Sequence, residues 1–593
     1  MNRCCVLAEH IRPQLNYLHL QFPTNRRIDH PMTHKQYYLY PVPANEFINN
    51  ARPDAQKMDI DQVFEKLFLK MKPIYMKAKP ILRPQMLLAV ALLLAGAIAG
   101  NCQRQHQKQK PNIIFILADD LGYGDVRTFN PKGKIATPNI DRLASQGMKF
   151  TDAHSSSAVC TPSRYSILTG RYPWRSTLQK GVLGGFSKPL IKEDKLTVAS
   201  FLQKSGYYTA VIGKWHLGLD WQLKPGNKKI KTGWEIDYAK PFKSGPLSLG
   251  FDYFYGISAS LDMPPFIFLE NDHSVGLPTI TKKIVRTGPT EKNFKAEDVV
   301  PFVARKTQQL ITQRHQTDQP FFIYMALPSP HTPIAPSEQF KGKSGMTEYG
   351  DYVQETDWAV GQVLHTLDSL GIAGNTMVVF TSDNGFAPYV LKQFDVEQLG
   401  HFPSYIFRGY KADIWEGGHH IPLVIRWPDI VKAGQVSNDL VSLTDFMATT
   451  ADVLGKKLPA DQAVDSYSML PDIIQQSTKP IRPAIVYLSI DGNFALQEGK
   501  WKLELCPGSG GWGDPRNRKA YLQGLPPIQL YDMENDIREQ NNVAAAHPDI
   551  VKSLTAKLKS YIDNGRSTVG PKQQNEVSVD LWKEVYKKDH KTK

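Results

Sequence analysis

Four stretches of this chain share one plan: a short, unbroken apolar run that stops abruptly at charged or polar side chains. Ile113 to Ala118 in NIIFILADDLGYGD runs into two aspartates and a glycine turn. Tyr208–Ile212 runs into GKWHLG, Phe321–Leu327 into PSPHTP, and MVVFTSDNG ends in an acid–amide pair. Runs of this length without alternation are those of strands buried on both faces. Between them lie segments of helical period. TVASFLQKSG carries Val198, Phe201 and Leu202 and stops at Gly206; YGDYVQETDWAVGQVLHTLDSLGI carries Val353, Val360, Leu364 and Leu367 on one side, with Gly371 past its end. IPLVIRWP predicts a further strand. Strands alternating with helices point to an α/β fold built on a large, mostly parallel sheet. Ligands of such sheets bind beyond the carboxyl ends of the strands, and the reactive residues of this chain all fall there.

The texture changes near residue 476. AIVYLSIDGNFALQEGKWKLELC predicts short antiparallel strands with turns at DGN and EGK, and the segment from PPIQLYDMENDIREQNN onward adds a strand, an acidic loop and a closing amphipathic helix. The expected division is a main domain over 108–475 and a smaller α+β domain with an antiparallel sheet over 476–593. Ahead of both, MLLAVALLLAGAIAG (86–100) is a 15-residue apolar run behind a basic, acid-free segment. It is shorter than the roughly 20 residues of a membrane span and has the length of a signal-peptide core. Residues 86–107 are therefore expected to be an export segment and linker. Residues 1–85 are expected to be a non-native or disordered extension ending in the basic n-region, with Met71 or Met76 as the conventional start; a genuine N-terminal extension is the alternative. Cys102, in AGNCQ, stands where a bacterial lipoprotein carries its lipid, although Asn101 replaces the usual small residue. Either route predicts export, to the periplasm, to an outer-membrane anchor or outside the cell.

The formal net charge is +14, but the first hundred residues hold 13 lysines and arginines against 7 acids, so the remaining body is only moderately basic. No basic run marks a nucleic-acid face. The five cysteines, Cys4, Cys5, Cys102, Cys160 and Cys506, lack zinc-site spacing and are too few for a disulfide framework.

Asp119 and Asp120 end one predicted strand; Asp383 and Asn384 end another. If both strands share a sheet, four oxygen ligands converge without histidine or cysteine, a set that selects calcium or magnesium over zinc. Taken singly, each pair could merely cap a turn. Arg164, Lys214, His216, His331 and Lys411 all occupy loops that follow strands, among glycine, proline and aromatic residues. Gathered beside a metal they would form an anion clamp, with arginine as a planar fork, lysines as point charges and histidines as proton carriers. The glycines of RGYKADIWEGGHHIP suggest tight backbone turns near a ligand.

These motifs together resemble one family. CTPSRYSILTGR (160–171) is similar to the type I sulfatase signature, C-x-P-S-R followed by T-G-R; ILADDLGYGD, GKWHLG, HTP, TSDNG and GYKADIWEGG resemble the family's other motifs in the family's order, across residues 110–450. The stretch LYDMENDIREQNN resembles its C-terminal domain. The resemblance implies an alkaline-phosphatase-like α/β sandwich. It also implies that Cys160 is oxidised by a formylglycine-generating or sulfatase-maturating enzyme to Cα-formylglycine, whose hydrate is the nucleophile. By the family's pattern Asp119, Asp120, Asp383 and Asn384 hold calcium, which also touches residue 160. Asp383 accepts the attacking hydroxyl's proton, Arg164 fixes the hydrate, Lys214 and Lys411 grip the sulfate, His331 protonates the leaving alcohol and His216 deprotonates the second hydroxyl. The substrate expected is a sulfated saccharide, with aryl sulfate esters as artificial substrates. Asp262 (SLDMPPFIFLEN), His401 (LGHFPSYIFRG) and Trp512 (CPGSGGWGDP) are the candidates for meeting a sugar, though Trp512 could equally seal the two domains. Two rivals remain at this stage: a phosphate or phosphonate monoester hydrolase of the same fold, and a catalytically silent protein that binds sulfated glycans.

Overall fold

The computed structural model describes residues 110–583; the expected extension, the expected export segment and Cys102 lie outside them. A ten-stranded sheet is the centre of the fold. In chain order its strands are β1 (Asn112–Asp119), β2 (Met148–Phe150), β3 (Tyr208–Lys214), β4 (Tyr253–Ile257), β5 (Phe268–Glu270), β6 (His273–Val275), β7 (Phe321–Pro330), β8 (Thr376–Ser382), β9 (Leu423–Arg426) and β10 (Gln435–Ser437). They lie side by side as β10-β2-β9-β8-β1-β7-β3-β4-β5-β6. The five central strands, β8-β1-β7-β3-β4, are mutually parallel, and β9 and β5 flank them antiparallel. The sheet is thus mixed and mostly parallel, as expected.

The unbroken apolar runs follow from this position. In β1, Ile113, Phe115 and Leu117 enter one core, and Ile114, Ile116 and Ala118 enter the other. Six helices cover the two faces: α1 (Pro138–Ser145), α2 (Cys160–Thr169), α3 (Val198–Lys204), α4 (Val299–His315), α5 (Glu348–Ser369) and α6 (Phe446–Val453). On one face α1, α4 and α5 bury Leu143, Val303, Val353, Val360, Leu364 and Leu367. On the other, α2, α3 and α6 bury Ile167, Leu168, Val198, Leu202 and Phe446. With roughly 25 cal/mol per Å² of apolar surface removed from water, a strand buried on both sides is what holds this layer together.

The C-terminal region folds as an antiparallel sheet in sequence order, β11 (Ile485–Leu488), β12 (Phe494–Glu498), β13 (Trp501–Glu504) and β14 (Gln529–Asp532). Helix α7 (Pro548–Asp563) lays Leu554 and Leu558 on its inner face. Tyr172 and Trp174, from the segment after α2, belong to this same small core. The Tyr172 hydroxyl accepts from Arg482 at 2.6 Å and from the Val486 amide at 3.0 Å.

Next to them Arg175 and Asp465 form a two-pronged ion pair at 2.6 and 2.8 Å, both side chains fully buried. Burial pushes the Asp465 carboxyl up, but Arg175 outweighs it and holds the group below its usual range. A depressed carboxylate stabilises the fold above its unfolded pKa, and that stabilisation is lost as pH falls through the folded value. Asp465→Asn, which strands the guanidinium, is expected to lower stability by about 3–5 kcal/mol at neutral pH. In urea unfolding, the gap between wild type and variant should narrow below about pH 4. A gap that does not change with pH would show that the pair is not the source.

Candidate active site

The sheet order sets out the site. β8, β1, β7 and β3 are consecutive neighbours, so the residues just past their carboxyl ends gather in one place. β1 delivers Asp119 and Asp120, β8 delivers Asp383 and Asn384, β7 leads to His331 and β3 ends in Lys214, with His216 two residues on. Cys160 opens α2 and points into this group: its Sγ lies 3.5 Å from Asp119 Oδ1 and 3.5 Å from Lys411 Nζ. The thiol is 2% exposed, and Thr161, Ser163 and Arg164 are fully buried. Burial pushes the thiol far up despite the nearby lysines, so as a cysteine it is a protonated, poor nucleophile.

Every acid has a cationic partner. Arg164 donates through Nε (2.9 Å) and a terminal nitrogen (2.7 Å) to Asp383 Oδ2, and that terminal nitrogen lies 3.6 Å from Asp119. Lys214 donates to Asp119 Oδ2 at 2.5 Å. Lys411 donates to both oxygens of Asp120 at 2.6 and 2.7 Å. Burial raises the Asp119 carboxyl, yet Lys214, His331 and Arg164 outweigh it and hold it well below the carboxylate range; Asp120 is lowered in the same way, chiefly by Lys411. Asp383 goes the other way, raised by burial and by Asp119. One carboxylate in the group is therefore more basic than its neighbours.

The two histidines are set up differently. His331 donates from Nδ1 to the Thr332 carbonyl at 2.6 Å and lies with Nε2 3.5 Å from Asp120 Oδ2. His216 donates from Nε2 to the Leu183 carbonyl at 2.8 Å, and its buried Nδ1 has no partner among the described residues. Burial, Lys214 and Arg164 hold its pKa well below the usual value. The result is a neutral ring with a bare nitrogen.

The lysine loop is placed by close backbone contacts. The Lys411 amide donates to the Phe386 carbonyl and the Ala412 amide to Ala158, each at 2.8 Å, so this loop touches both the β8 turn and the approach to Cys160. A Cβ on Gly385 would fall 1.9 Å from the Gly417 carbonyl oxygen. Asp413 accepts from the amides of Tyr410, Trp512 and Gly513 at 3.1, 2.9 and 2.7 Å. Burial nevertheless pushes its carboxyl up to about 6.

Of the three sugar-contact candidates, His401 stands apart from this centre. It is fully buried, donates from Nε2 to Asp125 at 2.8 Å and accepts the Lys134 amide at 3.1 Å through Nδ1. With both ring nitrogens used, it holds the loop after β1. Asp262 lies in the segment following β4, where the Ser258 carbonyl accepts the His216 amide at 3.0 Å. It is 6% exposed, 3.5 Å from Arg286, and its Oδ1 has no partner among the described residues. Trp512 is 37% exposed, with its ring 6.3 Å from that of Tyr389. Tyr389 is a site residue the sequence did not reveal: its hydroxyl donates to Asp120 Oδ2 at 2.7 Å. A tyrosine five positions past Asn384 carries no motif of its own.

The oxygen set fits a hard divalent cation. Ligand atoms of Asp119, Asp120, Cys160 and His331 all lie within 4.8 Å of one another. Asn384 donates from Nδ2 to Asp120 at 2.8 Å, while its buried Oδ1 meets no donor among the described residues. A buried amide oxygen without a donor, beside three carboxylates, is a position that a calcium- or magnesium-like ion satisfies.

Comparison with known proteins agrees with this chemistry. A family model described as Sulfatase matches residues 111–456. The chain is 35% identical over 522 residues to an N-acetylgalactosamine-6-O-sulfatase of Bacteroides thetaiotaomicron, spanning 79% of this chain and 98% of that protein. It is 31% identical over 494 residues to human arylsulfatase A, spanning 78% and 90%. A solved sulfatase structure from a study of glycosaminoglycan metabolism by B. thetaiotaomicron matches with a TM-score of 0.68 at 34% identity, covering 76% of this chain and 99% of the other. Fold and site together define a hydrolase of sulfuric esters on an alkaline-phosphatase-like scaffold. The chain belongs to the type I sulfatase family.

Proposed function

We propose that this protein releases sulfate from a sulfated carbohydrate, with residue 160 converted to formylglycine and calcium held by Asp119, Asp120, Asp383 and Asn384. The observation that carries the proposal is the convergence on Cys160: Asp119 and Lys411 both reach its side chain, and Arg164, Lys214 and Asp383 are bonded directly behind. The converted residue would supply an oxygen nucleophile, and the ion would stabilise negative charge at the reacting centre.

The chain's own residues supply the rest. Asp383, the carboxylate of raised basicity, is the proton acceptor for the attacking hydroxyl, and Arg164 fixes its orientation. Lys214 and Lys411 are the ammonium groups that an ester's oxygens would meet, fixed in advance as charge-stabilising donors should be. His216, neutral and with Nδ1 unpartnered among the described residues, is the second base. The N-terminus of α2 adds a partial positive charge at residue 160. His331, with Nδ1 on the Thr332 carbonyl and Nε2 3.5 Å from Asp120 Oδ2, is the ring whose Nε2 would hand its proton to the leaving alcohol.

Three observations support a sugar. The Bacteroides relative acts on N-acetylgalactosamine 6-O-sulfate by name. Trp512 offers an exposed ring beside Tyr389, suited to stacking on a pyranose. Asp262 has an oxygen without a partner among the described residues. Export, the maturing enzyme that would oxidise Cys160 and a lipid on Cys102 complete the proposal; all three are suggested by the sequence. The test is to assay the converted enzyme on a panel of sulfated saccharides beside 4-nitrophenyl sulfate and 4-nitrophenyl phosphate. Sulfate release from at least one saccharide is expected, and a phosphate turned over faster than its sulfate analogue would overturn the reading.

The role of His331 gives a sharper check. A sugar alcohol is a poor leaving group and needs a proton; 4-nitrophenolate does not. His331→Ala should therefore lower kcat on a saccharide sulfate by about 10²–10⁴-fold, and on 4-nitrophenyl sulfate by less than about tenfold. Equal losses on both substrates would remove His331 from the proton path.

A further inference from the structure

A second polar cluster lies inside the protein where the segment 413–420 meets the small sheet, built from three histidines that the catalytic chemistry does not use. His154 Nε2 is 2.7 Å from Asp152 Oδ1, His419 Nε2 is 2.9 Å from the Ile414 carbonyl, and His420 Nε2 is 2.8 Å from the Thr151 carbonyl. Carboxylates and carbonyls only accept, so each ring carries its hydrogen on Nε2 and is left with a bare Nδ1. Those Nδ1 atoms face inward. His154 Nδ1 and His419 Nδ1 are 3.0 Å apart, and His420 Nδ1 is 2.8 Å from Glu416 Oε2, which lies 4.0 Å from His154 Nδ1.

Five contacts thus need five hydrogens, and three neutral imidazoles supply three. Two positive charges are missing. Were Lys502, 3.2 Å from His419 Nε2, to donate there, the Ile414 carbonyl would lose its donor and His420 would still need two hydrogens. Two buried imidazolium ions could fill the gap, but burying charge is costly. A divalent cation between His154 and His419, whose lone pairs already face each other, removes the deficit there and leaves the His420–Glu416 contact as a hydrogen bond.

The surroundings suit that ion. His154 and His419 are fully buried, Glu416 is 1% exposed and His420 4%. The His419 ring stacks on Tyr487 at 3.9 Å and the His420 ring on Phe407 at 4.0 Å, so neither is free to turn away. Each histidine already has the outer acceptor on its second nitrogen that metal-ligating histidines use. Lys502 donates to Glu416 at 2.9 Å and to Glu539 at 2.6 Å and lies 3.4 Å from Glu504. Three buried carboxylates therefore share one buried ammonium, with half-buried Arg408 beyond them.

We propose that His154, His419 and Glu416, whose ligand atoms all lie within 4.8 Å of one another, form a buried site for zinc or a similar borderline divalent cation, separate from the oxygen-lined centre at Asp119. Imidazole nitrogens and a carboxylate oxygen are donors such ions select, and His420, bonded to Glu416 Oε2 at 2.8 Å, holds that carboxylate in place. The ion would join His154, just ahead of the Cys160 loop, to the segment that follows Lys411.

The test uses the full chain purified without a histidine tag or chelators. Elemental analysis should find about one equivalent of a zinc-class metal per chain, besides any alkaline-earth ion. Exchange with cobalt should give the strong visible absorption of a nitrogen-rich site of low coordination number, which an all-oxygen site does not give. His154→Gln and His419→Gln should each weaken binding by at least about 10–100-fold and remove the absorption, while Asp120→Asn should keep both. Folded wild-type protein that takes up neither zinc nor cobalt here would overturn the proposal and leave a proton in the ion's place. Metal that persists unchanged in both histidine variants would overturn it too.

Discussion

Cys160→Ser is expected to take up one sulfuryl group at most and then stop, lowering steady-state turnover by at least about 10⁴-fold. Its hydroxyl would occupy the position that Sγ holds between Asp119 and Lys411, so the first displacement remains within reach. A serine sulfate has no second hydroxyl, however, and His216 would have no proton to remove. Water would have to attack an ester buried against the β1 end. Mass spectrometry of the intact variant after incubation with substrate should show the added group. Steady multiple turnovers by this variant would rule out the two-hydroxyl mechanism. Unconverted wild type should be equally inactive, because burial keeps its thiol protonated. Specific activity should therefore rise in proportion to the fraction of chains in which residue 160 is converted.

Asp120→Asn should cost at least about 10³-fold in kcat/KM, with a matching loss of divalent-cation affinity. Asp120 sits at φ +63°, where asparagine is among the few tolerated replacements, so the backbone should survive. The charge does not. Lys411 donates to both Asp120 oxygens, Asn384 and Tyr389 donate to one each, and the Asp120 amide itself reaches Asp383 at 3.3 Å. Removing the carboxylate leaves the Lys411 ammonium buried without its partner, a loss of about 3–5 kcal/mol in the metal-free protein. Calcium titration by calorimetry and urea unfolding separate the two effects. Tyr389→Phe, which removes one outer hydrogen bond, should weaken the ion by only about tenfold. An Asp120→Asn variant that still binds the ion tightly would mean that the oxygen ligands have been misplaced.

The core of the fold was legible because β1, β3, β7 and β8 are buried on both faces, which leaves an apolar run that few other structures produce. Their ends were legible for the complementary reason: Asp119, Lys214 and Asp383 interrupt such runs where no solvent-facing pattern requires it. The outer strands β2, β5, β6 and β10 are each three residues long, too short for any period to show. The partners of His401 were not legible because a histidine between glycine and phenylalanine gives no hint that Asp125, 276 positions away in the chain, will bond to it. Tyr389 and the histidine cluster were missed for a related reason. Hydrogen bonds between distant segments leave no spacing to read, and HH in EGGHHIP is silent about His154.

The enclosure of Cys160 has a consequence for the order of events in the cell. The residue opens a helix whose ten members are all buried, so an enzyme that needs to grasp CTPSR as an extended peptide finds nothing to hold once the sheet has closed over it. Oxidation would then have to happen on a nascent or translocating chain. A molecule that folds first would remain a stable, well-formed and permanently silent protein, so the yield of active enzyme would reflect a race between the modifying enzyme and folding.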